Sequence, residues 1–334
     1  MTILVDHKRT VAVLDAIMKR YKENGAPYDL PHVVLPQDPR HLPKQLSVDP
    51  KRQAMFFFVL CYWMRGGTNS VEAARKLSQL FIRHPDYFDA DISSAFSDTR
   101  LILPLQTVGL MGMINSSRVQ WPENSRRLLD HYDGDPRNIF TGVTSYQELC
   151  ERVRNRGKGR GFVGFQKKMT SMLAYYFIDQ KLVPAQPFPI PVDFHLMRLA
   201  LANEIVKVDP HAITGNMLSE ELEDTLRELF YAYAQDRGID HLELCNALWL
   251  LGSSLCSNQP GNRAKQGVYE GRATEIDPIP YLETPSQLQR LAGTCGICPL
   301  TATCTSNYPS PYYYRRGIIV RTGSRPLLPS ESAA

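Results

Sequence analysis

The chain has 334 residues, 43% of them apolar and 22% charged, with a formal net charge of +4. That is enough to bury one large core or two moderate ones. Apolar runs such as Met55 to Met64 are too short to cross a bilayer, so a membrane protein is not expected.

The first predicted helix runs from Asp6 to Lys22 and carries Asp6, His7, Lys8 and Arg9 where a secretory leader would need an apolar core. Export is therefore not expected, and the expected setting is cytoplasmic. A Pro-rich connector follows (Pro27, Pro31, Pro36, Pro39, Pro43), which reads as a wrapping arm and not as a domain. From Lys51 the pattern turns helical. Gln53 to Met64 is apolar almost all round, the mark of a central buried helix. It stops at Arg65-Gly66-Gly67-Thr68-Asn69, and the next helix runs from about Ser70 to Ile82. Shorter helices alternate with turns through Leu149, among them Asn124 to Tyr132 and Ser145 to Arg154, and Asp133-Gly134-Asp135-Pro136 separates two of them.

Charge then concentrates. Between Glu151 and Lys181 eight Lys or Arg face two acids, a local excess of six positive charges, with Gly157, Gly159 and Gly161 interleaved. Such a block suits a phosphate backbone, and equally a solvated basic loop. Gly164-Phe165-Gln166 forms a short turn closed by Lys167 and Lys168, and Met169 to Phe177 has the spacing of a buried helix. Pro187-Phe188-Pro189-Ile190-Pro191 should stay extended, because each proline biases its predecessor away from helix. Asp193 is then placed at a helix start, where a carboxylate satisfies free N–H groups whether or not it has any further role.

Helices are next expected at His195 to Ile205, Ser219 to Arg237 and Asp240 to Leu251. A polar surface insertion is expected at about 258–284, and an aromatic and basic tail starts at Tyr308. One short strand is expected at Gly317 to Arg321. No internal repeat and no sustained two-residue alternation appears, so the predicted class is all-α.

Seven cysteines punctuate the chain, and Cys295, Cys298 and Cys304 form a C-x2-C-x5-C run. In a cytosolic helical protein that spacing points to a metal centre more than to disulfides, with a fourth ligand from elsewhere. Four thiolates hold either zinc or an iron–sulfur cluster. Cys61 and Cys150 read as core thiols.

The turn, the lysine, the apolar helix and Val192-Asp193-Phe194-His195 together resemble the helix-hairpin-helix DNA glycosylases of the endonuclease III kind, from about Lys51 to Cys304. The resemblance implies a two-lobed helix-hairpin-helix glycosylase fold with a [4Fe–4S] cluster loop. Residues 51–190 would form a helical barrel domain ending in the hairpin; 1–50 with 191–334 would form a discontinuous domain carrying the cluster. It implies Asp193 as the essential carboxylate and Lys168 as the Schiff-base lysine, with Lys167 an open rival. It makes Cys256 the fourth ligand, because an apolar segment ending in Gly252 precedes it by the family's interval. Cys245 stays open as a replacement. The cluster would be [4Fe–4S], with zinc the alternative. The gap from Cys256 to Cys295 is far longer than the family's, and Gln166 stands where the family has a second hairpin glycine.

DNA contacts are then expected from Gly161, Gly164, Gln166 and Lys167 in the hairpin and from Arg315 and Arg316 beyond the cluster. Arg65 is the candidate to fill the gap left by an extruded base, with Met64 next; an ordinary helix C-cap is the competing reading. Tyr62, Trp63, Tyr175 and Tyr176 are aromatics able to stack on a base or to fill a core. The implied function is excision of a damaged or modified base from double-stranded DNA by cleavage of its N-glycosidic bond, by a monomer associated with the nucleoid. AP-lyase activity would require attack by Lys168. Two rivals remain: a non-catalytic DNA-binding or damage-sensing protein on the same scaffold, motivated by Gln166, and a zinc-stapled helical interaction protein without nucleic acid.

Overall fold

The computed structural model describes residues 3–31, 33–64, 69–111, 114–154, 161–208, 215–255, 297–304, 312–315 and 318–321. These are predominantly helical. The chain divides into two compact units: a middle unit, Leu35–Pro191, and a terminal unit built from Met1–Val34 together with Val192–Ala334. The first division falls at 34/35, not at 50/51, so the second half of the Pro-rich connector belongs with the middle unit.

In the terminal unit, strand β1 (Ile3–Val5) leads into helix α1 (His7–Lys22), which Asp6 caps by accepting the Arg9 N–H at 2.9 Å. The middle unit is organised on helix α2 (Pro50–Leu60). Asp49 caps it and Pro50 opens it, where a missing N–H matters least. Every residue from Ala54 to Leu60 is buried, and so are Cys61, Tyr62 and Trp63 in the 3-10 turn that continues it. A helix apolar on all sides requires neighbours on all sides. These include α3 (Ser70–Arg83), capped by Asn69, and α8 (Lys167–Asp179), with 3-10 turns at Pro85–Phe88 and Pro136–Phe140. Between α3 and α8 lie α4 (Ala90–Ser94), α5 (Asp98–Thr107), α6 (Ile114–Tyr132) and α7 (Tyr146–Arg154). Helix α6 packs on α4, where Ser93 and Ser125 share a 2.7 Å hydrogen bond. Helix α6 begins ten residues before Asn124, the expected start, because it carries Pro122 in its interior. The break after it is as expected, with Asp133 and Gly134 at φ 52° and 66°.

The terminal unit continues with α9 (Phe194–Ala202), β2 (Val206–Val208), α10 (Gly215–Arg237) and α11 (His241–Trp249), then a π-helical turn, Leu250–Leu255. Strands β3 (Tyr312–Arg315) and β4 (Ile318–Arg321) pair antiparallel, Tyr312 opposite Arg321, and lie against α9 and α10 respectively. The expected strand is thus present at β4. Its partner β3 was not expected, and neither were β1 and β2, which pair Ile3 with Val208. Three-residue strands offer no alternation long enough to detect.

Candidate active site

Helix α7 packs on α8, and residues 161–166 lead into α8 through a turn. Phe162 N–H donates to the Val153 carbonyl at 2.8 Å, closing the end of α7. Phe162 and Phe165 are buried beside Phe58 of α2, their ring centroids 5.0 and 4.9 Å from its ring. Gly164, at φ 87°, occupies backbone space that side chains disfavour. Gln166 is the N-cap residue of α8, at φ −106° and ψ −175°, a conformation open to any residue. The departure from glycine there introduces no strain, and the Gln166 side chain is exposed.

Two side chains of α6 hold this turn in place, and neither role was apparent beforehand. Asn124 is fully buried. Its amide oxygen accepts the Val163 N–H at 2.7 Å, and its amide nitrogen donates to the Val163 carbonyl at 3.0 Å and to the Tyr62 hydroxyl at 3.2 Å. Arg127 donates to the carbonyl of Gly161, which is itself buried. Asn124 reads as a helix start in the sequence; its clamp lies 39 residues away and carries no local signature.

Lys167 is exposed, its carbonyl accepting from Tyr146. Lys168, on the first turn of α8, is half-buried, and its Nζ donates to the Met64 carbonyl at 2.9 Å. Met64 itself is buried, with Sδ 3.2 Å from the Tyr176 hydroxyl. It is therefore a core residue and not a gap-filler; Arg65 lies outside the described residues. Tyr62, Trp63, Tyr175 and Tyr176 are likewise buried in the core. Of the basic block, Arg152 is spent on the Ile139 and Thr141 carbonyls at 3.0 and 2.7 Å, and Arg156, Lys158 and Arg160 lie outside the described residues.

Asp193 caps α9 in the terminal unit. Its Oδ1 accepts the N–H groups of His195 at 2.9 Å and Leu196 at 3.2 Å, which fixes the carboxylate at the helix start. Gly252 of the π-helical turn faces this first turn: a Cβ built on it would lie 3.4 Å from His195 Cβ and 3.7 Å from its carbonyl carbon. The segment leading to Cys256 therefore runs directly against the helix that carries Asp193.

Cys298 and Cys304 share one compact turn. Thr301 N–H donates to the Cys298 carbonyl at 3.1 Å, and Cys304 N–H to the Leu300 carbonyl at 2.7 Å, with Leu300 buried beneath. Arg9 of α1 ties the turn down, donating to the Thr303 carbonyl and, at 2.9 Å, to that of Asn203 at the end of α9. Tyr28 lies close by; burial first, and then the Cys298 thiol, hold its hydroxyl far above the ordinary phenol range. Two thiols thus fall on one pinned turn, and among the described residues no group of three potential metal ligands comes together. Cys256, Cys295 and Arg316 lie outside the described residues, and Arg315 ends strand β3. Cys61 and Cys245 are buried, and the Cys61 thiol donates to the Phe57 carbonyl.

One further group on α6 stands out. Ser117, Gln120 and Trp121 share a face with Asn124 at helical spacing. Ser117 Oγ, Gln120 Oε1 and Trp121 Nε1, together with Trp63 Nε1, are buried and have no hydrogen-bond partner. Each such atom, left without water, costs about 1–3 kcal/mol; Gln37, His41, Arg118 and Asn203 carry buried side-chain atoms of the same kind.

No family model matches the chain, and no curated protein matches it.

Proposed function

We propose that the chain is a DNA base-excision glycosylase of the helix-hairpin-helix superfamily that extrudes a damaged or modified base and cleaves its N-glycosidic bond. The observation that carries the reading is the hairpin. Gly164 supplies its left-handed residue, Gln166 and Lys167 stand exposed at the start of α8, and Lys168 follows on the first turn. Exposed N–H groups at a helix start beside a cationic side chain suit a phosphate.

Asp193 supplies the chemistry. Bond cleavage develops positive charge on the sugar, which a fixed carboxylate stabilises, and the same group activates water. Its two backbone bonds hold it fixed, so little reorganisation is required during the reaction. The bond from Lys168 to the Met64 carbonyl supports water as the nucleophile. An attacking amine would first have to leave that carbonyl and lose a proton. Cys298 and Cys304, with Cys256 and Cys295, would hold a [4Fe–4S] cluster, which when bound would staple the loop that Arg9 already positions.

The test is borohydride trapping and base release on duplexes that each carry one modified base, with wild type beside Lys168→Ala and Asp193→Asn. Base release without an adduct, lost in Asp193→Asn and kept in Lys168→Ala, is the expected result. An adduct lost in Lys168→Ala would make the enzyme bifunctional. Tight binding with no release from any duplex would refute the glycosylase and leave the damage-sensing reading.

A further inference from the structure

One guanidinium joins three parts of the chain that lie far apart in sequence. Arg9 Nε donates to the Asn203 carbonyl at 2.9 Å and Arg9 Nη2 to the Thr303 carbonyl, partners 194 and 294 residues away. The first acceptor is the C-cap of α9, where carbonyls lack partners within the helix. The second lies in the Cys298–Cys304 turn. All three residues belong to the terminal unit.

The arginine does not serve its own helix. His7, Lys8 and Arg9 open α1, and the first turn holds no acid. A cation at a helix start opposes the helix dipole, so what the side chain stabilises is the pair of elements it touches. The geometry suits arginine in particular. Nε–H and Nη2–H point from one rigid edge and hold two acceptors in a common plane, whereas lysine offers a single mobile ammonium.

The end of α9 is held a second time from the same place. Asp6 N–H, just ahead of α1, donates to the Ile205 carbonyl at 2.9 Å, and Ile205 N–H returns to the Ala200 carbonyl at 2.9 Å. Nine helical residues carry the axis about 14 Å to the other end. There Asp193 accepts from His195 and Leu196, and Gly252 lies against His195. A helix this short tilts as a rod, so a shift at Asn203 reaches the Asp193 carboxylate.

We infer that Arg9 is a positioning residue: by locking the Cys298–Cys304 turn onto the C-terminal end of α9, it sets the place of Asp193 at the other end. Its effect on catalysis rests on the glycosylase reading; the lock itself does not. The experiment compares amide exchange in the full chain for wild type, Arg9→Ala, Arg9→Lys and Asp15→Asn. The last also unties α1, by weakening its bonds to Tyr233 and Arg237 of α10 at 2.8 and 2.9 Å, but leaves Asn203 and Thr303 untouched.

The expected result is exchange at least tenfold faster at Cys304 and Ile205, and faster at His195 and Leu196, in both Arg9 variants and not in Asp15→Asn. On any duplex that wild type cuts, Arg9→Lys should lower kcat at least tenfold and leave KM unchanged. If Arg9→Ala does not fold, Arg9→Lys carries the test. Protection fully restored by lysine overturns the lock, since charge alone then suffices. Equal loss of protection in Asp15→Asn overturns it too, because the effect is then general destabilisation. Faster exchange with unchanged kcat overturns the positioning of Asp193. Faster exchange as expected, with no base release by wild type from any duplex, keeps the lock and sinks the glycosylase.

Discussion

Replacing Asn124 with leucine, a near-isostere, would test whether α6 governs the hairpin. The change deletes both hydrogen bonds to the Val163 backbone, at 2.7 and 3.0 Å, and the 3.2 Å bond to Tyr62. Each lost bond is worth about 1 kcal/mol, and the Val163 N–H left behind in a part-buried site adds a desolvation penalty, so the expected loss is at least about 3 kcal/mol. Asn124→Asp keeps the acceptor for Val163 N–H but loses both donated bonds and sets a carboxylate in a fully buried site beside the Val163 carbonyl, so it should cost at least as much. Urea denaturation gives the total, and amide exchange at Val163 locates it: protection there should fall to the level of local opening. A loss below about 1 kcal/mol with Val163 still protected would refute the clamp.

Asp193→Ala should lower stability by about 1 kcal/mol through loss of the cap, whereas Asp193→Asn, which still caps, should melt like wild type; calorimetry of both separates the structural role from the charge. Asp179 has its pKa raised, by burial first, against the opposing hydrogen bonds from Gln180 and Gln37. An acid raised in the folded state makes that state bind more protons, so its contribution worsens as pH rises through the window between its unfolded and folded pKa. Asp179→Asn should therefore raise the melting temperature at neutral pH, with the advantage shrinking as the pH falls through and below that window. Cys298→Ser and Cys304→Ser should each abolish visible charge-transfer absorption in purified protein, and colourless wild type with thiol-releasable zinc would replace the cluster by zinc.

Local signals carried most of the helical pattern. Asp6 and Asn69 cap the helices their positions announce, and the Asp133–Pro136 break and the extended approach to Asp193 follow from glycine and proline alone. What escaped depended on distant partners. The pairing of Ile3 with Val208 has no local trace. Pro122 hid the first half of α6, so Asn124 passed for a helix start when it is a buried clamp. Met64, weighed as a wedge, is fixed by Tyr176 and Lys168 from the far end of the same unit. The orphaned atoms were invisible because only the fold reveals which polar groups end without partners.

Helix α9 has nine residues, too few to persist alone. Its support comes from β2, which β1 holds from the start of the chain, from α10, α11 and the π-helical turn, and from β3, more than a hundred residues downstream. During synthesis the unit bearing the hairpin is complete once Pro191 emerges, while the carboxylate at 193 waits for residues 312–315. On the proposed function, a nascent chain could fold its first complete unit long before it could cleave a glycosidic bond.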